Sequence, residues 1–449
     1  MPEPYDVITM GRIGVDLYPL EVGVPLARVG TFGKFLGGSP TNVAVAAARL
    51  GRRTAVITRT GQDAFGTYLH QELERFGVDA RWATAVEEYP TPVTFCEIFP
   101  PDDFPLYFYR QPKAPDLEIH APDLDLDAVR DARIFWMTGT GLSAEPSRSA
   151  TLAALAARGA RTADARPAGA PRTATVFDLD WRPMFWEGGD DSAEAPARYR
   201  EALAHATVAV GNIDECAIAT GEREPYAAAR ALLAAGVELA VVKRGPKGVL
   251  AVHRDGTTAD CPPLPVEVVN GLGAGDAFGG ALCHGLLAGW PLDRLVRYAN
   301  AAGAIVASRL ACSSAMPFPD EVEGALAAGA VTADPAGPAA ATAPTAPADP
   351  AATTAPTATT APTAASAPAG PAAPTAPADP TAPADPGAPA DPGAPADPAA
   401  ASAPTAGSAP AGPAAPTAPA DPTAPADPGA PADPAASGAP ADTATGAGS

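Results

Sequence analysis

The sequence predicts an α/β protein whose mostly parallel sheet is buried on both faces. Three observations carry this expectation. Short apolar, β-branched runs alternate with longer runs of helical period along the first 320 residues. Two stretches, 12–35 and 91–110, interrupt the alternation with strand-like pieces rich in Gly, Pro and aromatics. Beyond residue 330 the composition collapses to Ala, Pro, Thr, Asp, Gly, Ser and one Val.

The elements follow in order. Runs 5–10, 54–58, 93–99, 133–137, 175–179, 207–211 and 239–243 are short, apolar and β-branched or aromatic, which suits strands covered on both sides. Helical runs at 40–50, 64–76, 147–158, 193–205 and 226–235 fall between many of them, the pattern of βαβ units. Segments 248–253 and 258–261 flank Asp255-Gly256, a hairpin signal. Two long helices, 274–288 and 292–309, close the folded part. The pieces at 12–35 and 91–110 read as a small β-structure that serves the α/β body as a lid. Residues 162–171 (TADARPAGAP) read as a polar, disordered surface loop.

One domain is therefore expected within 1–330, with 331–449 as a disordered tail. Such a tail has nothing to bury and so nothing to offset chain entropy. Within it, 366–392 recurs unchanged at 408–434, and its Pro content favours an extended polyproline-II bristle. The chain carries a net charge of −21, and ten Asp are the tail's only charged residues, which leaves −11 to residues 1–330. An acidic chain without a basic stripe argues against nucleic acid as partner. No run of 18 apolar residues exists, so no membrane span is expected. The N-terminal MPEPYDVITM is not signal-like, and five Cys (96, 216, 261, 283 and 312) are scattered without a CxxC pair. Reduced thiols and a cytoplasmic setting are expected.

The strongest chemical signal is Asn270-Gly-Leu-Gly-Ala-Gly-Asp276 at the head of an apolar helix. Closely spaced glycines let the backbone turn tightly and point N–H groups outward, and the helix adds its positive end. Gly271, Gly273, Gly275 and the helix start would together make an anion hole suited to a phosphoryl group, with Asp276 at its mouth to accept a proton from an attacking hydroxyl. On pattern alone, a helix cap in a Gly-rich turn reads equally well. The segment is not a dinucleotide fingerprint, since Asp276 stands at the third glycine position and the motif comes late in the chain. His253-Arg254-Asp255 resembles a catalytic loop but falls in the hairpin turn. Asn212-Ile-Asp-Glu215 follows a strand; its amide and carboxylate suit a hydrated magnesium ion near phosphates, or simply a capping box. Gly37-Gly38-Ser-Pro-Thr-Asn42 offers backbone donors and an amide to a polar ligand, or a Gly-Gly turn before a helix.

These three motifs, with Gly11-Arg-Ile-Gly-Val-Asp16 and Lys243-Arg-Gly-Pro-Lys-Gly248 in the same order, resemble the ribokinase-like (PfkB) carbohydrate kinases over about residues 5–320. The resemblance implies a Rossmann-like three-layer core with a β-lid over the sugar, and transfer of the ATP γ-phosphoryl group to a primary hydroxyl. It makes Asp276 the general base, gives the anion hole to Gly273, Ala274 and Gly275, and places sugar hydroxyls against Asp16, Gly37, Gly38 and Asn42. It places Asn212, Lys243, Gly245, Gly248 and Asn300 on the nucleotide, and Glu215 on Mg²⁺. TFGKFLGGSPTN, DLDWRPMFW and VVNGLGAGD are most similar to the members that act on a 2-deoxy-5-keto-gluconate in myo-inositol catabolism. The carboxylate of that substrate calls for a guanidinium fork, and the resemblance supplies it at Arg182 and Arg110, which match an acid-end and a lid arginine of the related 2-dehydro-3-deoxygluconate kinases, with Tyr109 beside Arg110 and Lys34 as a further candidate; each arginine also reads as an ordinary surface residue. A kinase for 2-dehydro-3-deoxygluconate or another sugar, and a non-catalytic sugar-binding regulator, stay open as alternatives. Asn270-Gly271 stands where many members carry Asp-Thr near a monovalent-cation site, which leaves K⁺ open. A homodimer through the lid is one assembly the resemblance allows.

Overall fold

The structure is a computed structural model that describes residues 3–159 and 173–334. The expected loop at 162–171, and the expected tail apart from 331–334, lie outside the described residues.

The strands are β1 (Val7–Met10), β2 (Gly14–Pro19), β3 (Phe32–Gly37), β4 (Thr54–Gly61), β5 (Val78–Val86), β6 (Val93–Cys96), β7 (Leu106–Tyr109), β8 (Ile134–Thr138), β9 (Ala174–Asp178), β10 (Val208–Asn212), β11 (Leu239–Lys243), β12 (Val249–His253) and β13 (Thr258–Cys261). The helices are α1 (Ser39–Arg49), α2 (Ala64–Arg75), α3 (Leu126–Asp131), α4 (Ser147–Arg158), α5 (Ala195–Leu203), α6 (Ile213–Thr220), α7 (Pro225–Ala234), α8 (Ala274–Ala288), α9 (Leu292–Ala307) and α10 (Pro319–Ala328).

Nine strands form one sheet in the order β13-β12-β11-β10-β9-β8-β1-β4-β5. It is parallel from β11 through β5, and β12 and β13 join it antiparallel as the expected hairpin. Successive residues of a strand point to opposite faces, so each apolar strand feeds two cores. Val7, Val56 and Trp136 pack with α1, α2, α8, α9 and α10 on one face. Ile8, Phe135 and Phe177 pack with α3 to α7 on the other. This is the three-layer ribokinase-like arrangement.

The interrupted stretches form a second sheet of four strands, ordered β3-β2-β6-β7. Asp16 pairs in register with Phe35 and Thr94, and Thr94 with Phe108. These residues share one face of the small sheet; Phe32, Lys34, Phe95 and Tyr109 lie on the other, where Phe95 meets both Phe32 and Tyr109 edge-on at 5.5 Å.

Three elements went unanticipated in the sequence. Strand β5 alternates buried and open residues at the sheet's edge, so it lacks an apolar run. Helices α3 and α10 are six and ten residues long, too short for a strong periodic signal.

Candidate active site

The C-terminal ends of β1, β9, β10 and β11 open onto a cleft of about 250 Å³, whose opposite wall is the inner face of β2, β6 and β7. Strand ends of an open parallel sheet leave their following loops free to carry ligand groups.

The Gly-rich loop forms one side. Asn270 is fully buried and spends both ends of its amide there: Nδ2 donates to Leu310 O (2.7 Å), and Oδ1 accepts from Leu272 N (3.0 Å). Gly273 takes φ +82°, and a Cβ on it would strike the Cys312 sulfur. Only glycine satisfies both conditions. Among the described residues, the N–H groups of Gly273 and Gly275 meet no acceptor, and both residues face the cleft. Ala274 makes a long 3.4 Å bond to Gly271 O and is not part of the cleft wall. Two open amides at the start of α8 are a ready anion hole.

Asp276 stands in the first turn of α8 and faces the same cleft. Burial pushes its carboxyl above the ordinary range, while hydrogen bonds from Asn42 and Ser39 pull it down. Asn42 Nδ2 donates to Asp276 Oδ2 at 2.9 Å, and its own Oδ1 is buried without a partner. The starts of α1 and α8 thus meet at the base.

Across the cleft, Asp16 accepts from the Tyr18 hydroxyl at 3.0 Å. Burial pushes the Asp16 carboxyl up to about 7; Tyr18 and Arg12 oppose that and Asp276 adds to it. A Cβ on Gly37 would lie 2.2 Å from the Asp16 carboxyl, so glycine makes the space the acid occupies. Gly38 caps α1 at φ +99° with its backbone against Arg12.

Three guanidinium groups line the cleft wall. Arg110 donates to Asp116 at 2.6 Å and sits over the Phe185 ring. Arg182 donates to Trp181 O (2.7 Å), stands 3.2 Å from Asp180 and keeps a buried, unpartnered Nε. The third, Arg12, was absent from the sequence candidates. It pairs with Asp180 and donates to Thr140 Oγ1 at 2.8 Å. Asp180 is the only non-glycine residue with positive φ (+33°) among those described. Its carboxyl is held below the usual range: burial alone would raise it, and the two guanidinium groups outweigh burial. The Arg12–Asp180 contact spans 168 positions, so no local pattern could reveal it.

Two expectations are corrected. Lys34 and Tyr109 do not line the cleft, because strand alternation turns them to the outer face of the small sheet. Lys34 Nζ stacks instead over Tyr68 at 3.8 Å, and Tyr109 is 65 % exposed. Phe108 takes the inward position.

On the far side, Asn212 and Glu215 make a reciprocal capping box at α6 while lining the cleft. Glu215 Oε2 accepts from Asn212 N–H, so the residue expected on metal is a helix cap first. Among the described residues, no three His, Cys, Asp or Glu side chains converge as a metal cage. Lys243 ends β11 beside Asn212 and projects into the cleft. Gly245 and Gly248 shape the following turn with positive φ, and Asn300 donates to Pro262 O at 2.9 Å; all three lie outside the cleft wall. Asp178, also missed in the sequence, lies on the cleft floor with its carboxyl pushed up to about 8 by burial, against the pull of Lys243.

Open amides, a half-buried carboxylate beside them and a polar pocket facing both define an enzyme that moves an anionic group onto a small hydroxylated molecule. The chain belongs to the pfkB family of carbohydrate kinases, whose pattern matches residues 5–319. It is 32% identical over 326 residues to a 5-dehydro-2-deoxygluconokinase of Geobacillus thermodenitrificans, covering 72% of this chain and 93% of that one. A Clostridium tetani protein of the same description is 31% identical over 327 residues, covering 72% and 92%. Among solved structures, a PfkB protein from Polaromonas aligns with TM-score 0.57 at 26% identity, covering 67% of this chain and 95% of that one. A fructokinase from Vibrio cholerae, bound to fructose, ADP and calcium, aligns with TM-score 0.60 at 24% identity, covering 71% and 98%. The chain is a sugar kinase. Among the described residues, no helix is long and apolar enough to cross a membrane.

Proposed function

We propose that this kinase transfers the γ-phosphoryl group of ATP to the terminal hydroxyl of an acid sugar, 5-dehydro-2-deoxy-gluconate, as a step of myo-inositol breakdown in the cytoplasm. The observation that carries phosphoryl transfer is Asp276 in the first turn of α8, half-buried next to the open amides of Gly273 and Gly275. Asp16 and Asn42 orient the sugar. Asp276 takes the hydroxyl proton as that oxygen attacks, and the amides meet the charge on the phosphoryl oxygens. A magnesium ion arriving with the nucleotide would neutralise phosphate charge, with Glu215 and Asp178 as the carboxylates facing it. The relatives' shared description supports the acid substrate. So does Arg182, whose buried Nε lacks a partner at the cleft wall.

The test is a panel of sugars with ATP. The 5-keto acid should turn over fastest; a preference for 2-dehydro-3-deoxygluconate or fructose would reassign the substrate. Absence of turnover with every sugar would favour a non-catalytic regulator. Asp276→Asn should lower kcat by about 10²–10⁴-fold, the range of a lost general base. Arg182→Ala should raise KM for the acid sugar at least tenfold more than for a neutral one; equal effects would remove the carboxylate reading. Because Asn270 offers an amide rather than a carboxylate and both its ends are used, turnover should be equal in potassium and choline salts.

A further inference from the structure

We propose that Lys243 is a catalytic residue of this kinase, its ammonium contacting the phosphoryl group in flight. The proposal rests on the phosphoryl-transfer reading and adds to it a cation that the glycine loop alone does not supply.

Four observations carry it. Lys243 is the last residue of β11, in register with Asn212 at the end of β10, where the sheet opens onto the cleft. Its Nζ lies 3.4 Å from where a Cβ on Gly275 would sit, so the ammonium stands against the open amides. Every arginine on the cleft wall has a protein carboxylate beside it: Arg12 and Arg182 have Asp180, and Arg110 has Asp116. Among the described residues, Lys243 has no hydrogen bond and no ion pair within 4 Å, although Asp178, Glu215 and Asp276 surround it at longer range. These acids hold it charged: burial alone would lower its pKa, and their combined field raises it.

An ammonium with three donors and no fixed acceptor, next to two unpaired N–H groups, is complementary to an anion with several oxygens. The nucleotide's γ-phosphoryl group is such an anion. In the transfer the sugar oxygen forms a bond to phosphorus and the bond from phosphorus to the bridging oxygen breaks, with its electron pair leaving on ADP. The hydroxyl proton goes to Asp276. Lys243 neither gains nor loses a proton; it meets the charge spread over the equatorial oxygens. Asp178 at the end of β9 and Glu215 in the first turn of α6 keep the ammonium near the loop without pairing with it.

The experiment compares the full-length protein with Lys243→Met and Lys243→Arg. Turnover is measured with the best sugar, and binding of ADP and of a non-hydrolysable ATP analogue by calorimetry. Lys243→Met should lower kcat by about 10²–10³-fold, the cost of one donor to a developing charge, with KM for the sugar changed less than threefold. Lys243→Arg should recover part of that loss. The preference for the triphosphate analogue over ADP should collapse in Lys243→Met while ADP binding is unchanged, a pattern that a purely structural role would not produce. Near-normal kcat in a folded Lys243→Met, or equal loss of ADP and analogue binding, overturns the proposal. If the methionine variant does not fold, unchanged kcat and analogue preference in Lys243→Gln do the same. Wild-type protein inactive with every sugar would instead sink the phosphoryl-transfer reading, and the analogue-against-ADP comparison would still judge Lys243.

Discussion

Asp16 is a buried acid poised near neutrality, and that has two consequences of opposite sign. To accept hydrogen bonds from sugar hydroxyls it must be ionised, so kcat/KM should rise with pH through about 7. Asp16→Asn should leave a low rate without that limb, measured as kcat/KM from pH 5 to 9. Stability runs the other way. The folded state holds this proton more tightly than the unfolded chain, where the ordinary value is 3.8. Its stabilising contribution is fully present below that value and is lost as pH rises through about 7. The fall of Tm across this window should flatten in Asp16→Asn. Single residues were legible where glycine motifs framed them: Asp276, Asn42 and Gly38 line the cleft, while Gly37 stands behind Asp16 and leaves room for its carboxyl. Arg12, Asp178 and Asp180 were not, because their roles come from neighbours brought together by the sheet. Lys34 and Tyr109 misled because proximity in sequence ignores which side of a strand a side chain leaves.

Among the elements, the α1–α8 pair fixes the geometry of the base. A Cβ on Gly280 would lie 2.3 Å from the Cβ of Ala46, so the two helices approach as closely as glycine permits. Gly280→Ala should cost about 1–3 kcal/mol by overpacking, read as a lower denaturant midpoint, and should lower kcat by loosening the Asn42–Asp276 contact. The Arg12–Asp180 pair ties the link between β1 and β2 to the segment after β9. Removing one partner strands a buried charge, at about 3–5 kcal/mol. Arg12→Met with Asp180→Leu should recover most of the stability lost in either single variant but not the affinity for an acid sugar. The alternation of apolar strands and helices showed the large sheet plainly. The edge strand β5 escaped notice because one side of it is not covered and its residues need not be apolar.

At the scale of the whole molecule, the described fold reaches its last element at α10 and is tied off by a bridge between Val266 and Val331. Truncation after residue 334 should leave kcat and KM within twofold of the full chain. The outer face of the small sheet, with Phe32, Phe95 and Tyr109 in contact, is the surface we propose for a homodimer; sedimentation of Tyr109→Glu against wild type would test it. The domain's extent was legible in the abrupt change of composition, because a chain without aromatic or aliphatic side chains has no core to build. The two walls of the cleft belong to different sheets: Asp16 rides on the small one, while Asp276 and the open amides follow the large one. On the proposed reading a bound sugar spans both walls and bridges two acids that otherwise repel each other. A water molecule cannot span them, so hydrolysis of ATP to ADP and phosphate without sugar should be far slower than turnover, which would spare the cell a futile drain of nucleotide.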